Sequence, residues 1–374
     1  GLVDLAASLQ AVGSAEAARH AEQALQLAER RGAPRTAARA RLQLAAIRNE
    51  QRRPREAVVL AEEALAFLRP NRYRRYELYG GSILSRAYEQ LDDLERARAT
   101  SAGGLAAAEA VGSDAQVAMA LSHLASLATS LGRLPEALAL RERAERIRRS
   151  QRDASALPYD LANRADLLIR LGRLEDARAP LAELQAGIDA GIDSYVGRAT
   201  RLTFLRGWAA LAAGHAAEAA RTLAALQALA PDGSSVSALA PAVHAFALAS
   251  LGQAAASEHA ERIAAGREVS PVVARERHYW LAATALQRGE ARLALARAEQ
   301  GLAALGTLDN PELRWRLAAV GAAAARQAAE AATVTAMTAT MRQALDGLRA
   351  NWGGDLGAYA QRPDFAALRG RVGG

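Results

Sequence analysis

Cysteine is absent from the 374 residues, which excludes disulfides, thiolate metal sites and a cysteine nucleophile. Lysine is absent as well, and all 47 basic residues are arginine. Aromatic residues make up only 4% of the chain, which argues against a sheet-rich fold built on aromatic and β-branched pairs. No apolar run approaches the roughly 20 residues of a membrane-spanning helix, and the amino terminus lacks the basic-then-apolar pattern of a secretory signal. A soluble, cytoplasmic protein is therefore expected. Catalytic signatures are missing too: the sequence holds no G-x-S-x-G, H-E-x-x-H, G-x-x-x-x-G-K-[ST] or G-x-G-x-x-G. The histidines His20, His123, His215, His244, His259 and His278 are scattered. Only His244 and His259 are placed to approach across a hairpin, with no third ligand to complete a metal site. No enzyme activity, metal or cofactor is expected.

What the chain does contain is alanine, arginine and glycine, as a GC-rich coding sequence produces. The net charge of +7 and pI near 10.3 raise the question of an acidic partner. The excess of 47 basic over 40 acidic residues is small and unfocused, so nucleic acid is not the expected partner.

The informative feature is a period. Marking the alanine after the acid in "REAVVLAEEAL" and its counterparts gives Ala17, Ala57, Ala97, Ala137 and Ala177, forty residues apart. Ala219, Ser257, Ala294 and Ala331 continue at intervals of 42, 38, 37 and 37. Seven residues beyond the mark a second small residue recurs at Ala24, Ala64, Gly104, Ala144, Ala264 and Gly301, two helical turns away on the same face. Leu184 and Leu226 stand there in the fifth and sixth copies. Five residues before the mark lie Gly132, Gly172, Gly214, Gly252 and Gly289, suited to close one helix before the next. Each unit thus reads as a helical hairpin, with breakers such as "GAP", "RPN", "GSD" and "LDNP" between units. In this register Ala137→Arg is expected to overpack an interface, whereas Arg141 is assigned to the outer face together with the rest of "RERAERIRRSQRD" (141–153).

These units resemble tetratricopeptide repeats in a long form of about forty residues. The resemblance rests on the pair Ala87-Tyr88 late in a first helix, on Gly132 and Gly172 between helices, and on Ala137 and Ala144 in a second helix. The family's early tryptophan is matched only by Trp315, and the proline that usually ends a unit is mostly missing. The resemblance implies an all-α, right-handed α-solenoid of about nine stacked hairpins with a C-terminal capping helix, lined inside by first helices. It also implies ligand contacts from particular first-helix positions. Here these are Ser82, Arg86, Glu89 and Gln90; Ser122, Ser126 and Thr129; Asp166 and Arg170; then Phe204, Trp208 and Phe246. A rotation of one residue would instead put Phe204 and Trp208 in the core, and both alternatives stand at this point.

The stretch "RPNRYRRYELY" (69–79) interleaves arginine with Tyr73, Tyr76 and Tyr79, a combination able to grip single-stranded nucleic acid. The preferred reading is a loop and helix whose tyrosines pack on the preceding hairpin. The expected organisation is a repeat array over residues 1–350 and a cap or tail over 351–374, with a final helix around Asp364 to Arg369. Because the chain opens on Gly1 rather than methionine, a piece of a larger protein is expected, and the resemblance to repeat regions of bacterial signalling proteins implies an effector region attached to it. The function expected is non-enzymatic binding of a protein or peptide, as the sensor region of a larger bacterial signalling protein. The alternatives are a free-standing scaffold with a constitutive partner and, third, a nucleic-acid binder.

Overall fold

The computed structural model describes residues 16–152, 156–190, 196–227, 235–267 and 269–353, with 356 and 359. The expected helix around Asp364 to Arg369 and the first helix of the first copy lie outside the described residues. The described residues form seventeen α-helices and no strand. In chain order they are α1 (Glu16–Arg30), α2 (Pro34–Glu50), α3 (Pro54–Leu68), α4 (Arg74–Gln90), α5 (Leu94–Val111) and α6 (Asp114–Ser130). Then follow α7 (Leu134–Ser150), α8 (Leu157–Arg170), α9 (Leu174–Asp189), α10 (Val196–Ala212), α11 (Ala216–Gln227) and α12 (Ser235–Ser250). The last five are α13 (Ala254–Ala265), α14 (Pro271–Gln287), α15 (Ala291–Leu305), α16 (Pro311–Gln327) and α17 (Ala331–Trp352). They fall into two compact units, residues 1–127 and 128–374.

Each hairpin turns on one residue with left-handed backbone. These residues are Arg52, Asp92, Gly132, Gly172, Gly214, Gly252, Gly289 and Ala329, with φ between 58° and 85°. The next residue donates its N–H across the turn to the carbonyl five residues back: Arg53 to Arg48 at 2.8 Å, Arg133 to Ala128 at 2.9 Å, Glu330 to Ala325 at 2.9 Å. This is the Schellman closure that satisfies the last carbonyls of a helix. Proline at the first or second position then starts α2, α3, α7, α8, α14 and α16, where its missing N–H costs nothing.

The turns correct one reading. Ala329 is the ninth turn residue, so the ninth mark is Val334, forty residues after Ala294, and not Ala331. Ala331 is the exposed first residue of α17, while Val334 packs against the core. An alanine-rich helix start had offered a false match three residues early.

The marked residues Ala57, Ala97, Ala137, Ala219, Ser257 and Ala294 are completely buried, and the position four residues on is buried in the first eight copies, because i and i+4 share a helix face. That position holds Ala21, Ala61, Ser101, Leu181, Leu223, Ala298 and, in α7, Arg141. Arg141 is therefore not on the outer face: it is 1% exposed. Its Nη1 donates to Asp160 Oδ1 at 2.6 Å, Arg148 Nε lies 2.8 Å from Asp160 Oδ2, and Tyr159 lies under the Arg141 guanidinium at 5.3 Å. Glu145, also buried, pairs with Arg149 at 2.8 Å and Arg164 at 3.2 Å. Much of the segment 141–153 is thus an ionic interface between α7 and α8 and not a solvated face.

Consecutive first helices pack on one another, α2 on α4 in the first unit and α8, α10, α12, α14 and α16 in succession in the second. Consecutive second helices do not come together in this way among the described residues. Each unit therefore curves toward its first helices, as the repeat reading expects. In the second unit the curvature brings the last hairpin back to the start. Asn310 donates to Ser130 O at 2.9 Å, and Trp352 Nε1 donates to Gly132 O at 2.9 Å. A Cβ on Gly132 would run into the Asn310 side chain. No described helix is long and apolar enough to cross a membrane.

Two sets of variants test this framework by urea unfolding. At Gly252, where φ is +72° and an added Cβ meets nothing within 4 Å, alanine should cost roughly 1–2 kcal/mol through backbone strain alone. Ala329→Gly should act in the opposite sense, by somewhat less because glycine loosens the unfolded chain. Asp160→Ala, which strands two buried guanidinium groups, should cost about 3–5 kcal/mol. Glu175→Ala, at an exposed pair, should fall within about 0.5 kcal/mol of wild type.

Candidate functional site

The inner face can be followed through one repeat position, eighteen residues before each mark. It holds Arg39, Tyr79, Met119, Tyr159, Arg201, Leu239, Glu276 and Arg316. In the second unit Tyr159, the first of these, is 52% exposed, whereas Arg201, Glu276 and Arg316 farther along are charged and engaged internally. Arg170 on α8 donates to Glu276 on α14 at 2.8 Å across 106 residues of sequence. Arg316 on α16 reaches the other Glu276 oxygen at 3.1 Å and Glu312 at 3.2 Å, and Asp166 pairs with Arg170 at 3.2 Å. Tyr359 donates its hydroxyl to Glu312 at 2.9 Å. Aromatic rings fill the rest: Arg170 lies over Trp208 at 4.9 Å and Arg316 over Tyr279 at 3.8 Å, while Trp280 meets both Trp208 and Phe246 edge-on.

Burial alone would push the Glu276 carboxyl up, but Arg316 and Arg170 outweigh it and hold the pKa down at about 2. Burial likewise opposes the charges on Arg170 and Arg316, and Glu276 overcomes it, so both guanidinium pKa values are raised. The inside of the second unit is a packed core with a charged seam.

The first unit differs. On α4 Arg75, Tyr79, Ser82 and Arg86 form an exposed stripe at helical spacing, and Met119 on α6 carries it to the next repeat. Tyr79 is 42% and Met119 60% exposed. Contacts of α4 with α2 keep a nearly constant register, Arg35 to Tyr73, Gln43 to Tyr79 and Asn49 to Gln90, so the two helices run parallel with their N-termini on one side. Burial raises the Tyr79 hydroxyl pKa, with Glu50 adding to the shift and Arg86 opposing it.

The residues expected at a site are thus distributed over two environments. Ser82 and Arg86 are exposed on the α4 stripe. Glu89 and Gln90 are half-buried beside it, Glu89 3.5 Å from His123 Nε2 and Gln90 bonded to the Asn49 carbonyl. Ser122 is buried, Ser126 turns back to the Ser122 carbonyl at 3.1 Å, and Thr129 is half-buried. Asp166, Arg170, Phe204, Trp208 and Phe246 are all buried inside the second unit and engaged as described. Met119, Glu276 and Arg316 escaped the sequence reading, and Tyr79 entered it only through the arginine–tyrosine stretch 69–79, not as an inner-face position. One turn further back along the first helices, the forty-residue register would have found Tyr79, Met119 and Glu276, and the corrected ninth mark Arg316.

Of the other features singled out, Tyr73 and Tyr76 of 69–79 pack as the preferred reading expects, whereas Tyr79 is exposed. Tyr73 stacks on Phe67 at 6.1 Å, and Arg35 and Arg39 cover Tyr76. His244 is buried and His259 exposed, and no metal-binding group of three or more His, Asp or Glu exists among the described residues. Where outer helices splay, a trough of about 840 Å³ opens between α9 and α11, but Glu175–Arg178 and His215–Glu218 at its rim pair with one another.

No protein-family model and no curated protein matches the chain. Solved structures do match. A Rap protein complexed with competence and sporulation factor superposes with a TM-score of 0.61 at 12% identity, covering 94% of this chain and 98% of that one. The Rap conjugation gene regulator of the plasmid pLS20, in complex with the Phr* peptide, gives 0.59 at 12% identity over 80% of this chain and 84% of that chain. The fold is a tetratricopeptide-type α-solenoid. The apo form of RapI matches this solenoid with a TM-score of 0.52 at 13% identity over 71% of the chain and 95% of its own.

The charged seam makes a pH prediction. A carboxyl whose folded pKa is depressed stabilises fully above its unfolded value, near 4.5, and loses that contribution as pH falls toward about 2. Glu276→Gln should therefore cost about 3–5 kcal/mol at neutral pH. Its gap to wild type in urea unfolding should narrow steadily between pH 4.5 and 2. A gap independent of pH would contradict an ionised Glu276 in the core.

Proposed function

We infer that this solenoid is a non-enzymatic scaffold that docks a protein or peptide on the inner face of its first unit. It would act in the cytoplasm as the interaction region of a larger bacterial signalling or regulatory protein. The observation that carries the reading is the contrast between the two units. From Arg201 onward the inner line of the second unit is consumed by its own charges and rings; Tyr159 before it stays exposed, as do Tyr79, Ser82, Arg86 and Met119 in the first unit. Exposed apolar groups aligned on successive helices are the anchor pattern of a peptide groove. The likeness to Rap structures solved with the Phr peptide or with competence and sporulation factor supports the same role. On this reading residues 1–350 are the array and 351–374 its cap, with Tyr359 bonded to Glu312 of the last hairpin and Trp352, at the end of α17, bonded to the turn at Gly132.

Binding to such a scaffold shifts an attached effector only insofar as the ligand favours one effector state. The docking itself is open to a direct test. A photo-crosslinking amino acid at Met119 should capture a discrete protein or peptide in cells of the native host. The same probe at Val59, 55% exposed on the second helix α3, should not. Equal capture at both positions would remove the inner face from the account.

A further inference from the structure

We propose that the ligand of the first unit is an acidic peptide with apolar side chains, its carboxylates meeting Arg35, Arg75 and Arg86 and its apolar groups resting on Tyr79 and Met119. This rests on the peptide-docking reading above and deepens it by naming the ligand's chemistry.

The argument begins with where the acids of the first unit are spent. Arg41 is held by Glu29 and Glu63, Arg48 by Glu22 and Glu56, and Arg74 by Glu77. These pairs bind helices to their neighbours or staple a helix turn. Among the described residues, Arg35, Arg75 and Arg86 have no carboxylate within ion-pair distance, although all three are exposed on the inner side. A guanidinium fork is shaped for bidentate contact with a carboxylate. The parallel N-termini of α2 and α4 add positive potential at the end where Arg35 and Arg75 stand.

The apolar half of the ligand follows from Tyr79 and Met119. A thioether 60% exposed and a ring 42% exposed stand in the same repeat position on successive first helices, with Ser82 between the flanking arginines. Methionine adapts to varied apolar partners, and tyrosine offers a rigid face at little entropic cost.

The same observations disfavour nucleic acid. Stacking needs free ring faces, yet Arg35 and Arg39 lie over Tyr76 and Tyr73 is held between Arg35 and Phe67. Glu50 beside Tyr79 and Glu89 beside His123 place negative charge where a continuous phosphate chain would run, whereas a peptide with spaced carboxylates avoids them.

The test uses the full chain and fluorescence anisotropy with four labelled probes: a decapeptide alternating glutamate and leucine, its glutamine–leucine and lysine–leucine counterparts, and an oligothymidylate of equal charge. The glutamate–leucine peptide should bind most tightly. Arg75→Gln and Arg86→Gln should each weaken it by about tenfold, as loss of a charge-assisted contact does. Tyr79→Ser and Met119→Ser should weaken both the glutamate and glutamine peptides. Arg75, Arg86 and Met119 are exposed, so circular dichroism and unfolding of those variants should be unchanged, and Tyr79→Ser, which removes a partly buried ring, should stay folded by circular dichroism with a lower unfolding midpoint. Equal binding of the glutamine peptide, tighter binding of oligothymidylate, or no binding of the glutamate peptide would each overturn the acidic class. Capture by the crosslinker at Met119 alongside any of those results leaves the docking reading intact. Loss of capture removes both.

Discussion

Glu276, its side chain 12% exposed, sits between Arg170 and Arg316, and the form of the second unit depends on that contact. Removing an ionised carboxylate from water costs several kcal/mol and is tolerated only where partners stand in good geometry. The partners here come from α8 and α16, so five hairpins have to curve far enough for helices distant in sequence to meet. The same curvature returns Trp352 and Asn310 to the turn at Gly132. With the interior occupied in this way, the described residues from α10 to α16 leave no inner groove. The exposed line of Tyr79 and Met119 belongs to hairpins that carry no such seam.

Much of the fold can be read directly from the period. A hairpin that repeats every forty residues places a left-handed turn residue, a buried small mark and a second buried residue four further on, and all three recur in the structure. The two misreadings share one physical origin, a local residue preference taken in place of register. Arg141 looks like a surface residue by type, but the i+4 rule puts it inside, where Asp160 meets it. Ala331 looks like the mark by type, while the turn at Ala329 assigns the mark to Val334.

The candidate site was half legible. Register identifies which face of each first helix turns inward, and it selected Ser82 and Arg86 as well as Asp166, Arg170 and Trp208. It does not say how tightly successive hairpins curve. That is decided by contacts such as Arg170 with Glu276, 106 residues apart, for which no local pattern exists. Positions equivalent in the repeat therefore end in opposite environments: Arg86 meets solvent, while Trp208 meets Trp280 and the Arg170 guanidinium.

The central claim is that the inner face is open in the first unit and closed in the second from α10 onward. A chain without cysteine allows this to be measured by placing a single thiol on the inner side of a first helix in each unit and timing its reaction with a maleimide. Ser82→Cys should react at the rate of a free thiol, and Ala212→Cys, on the same inner side of α10 and 0% exposed, only as fast as its unit opens. Comparable rates at the two positions would contradict the account.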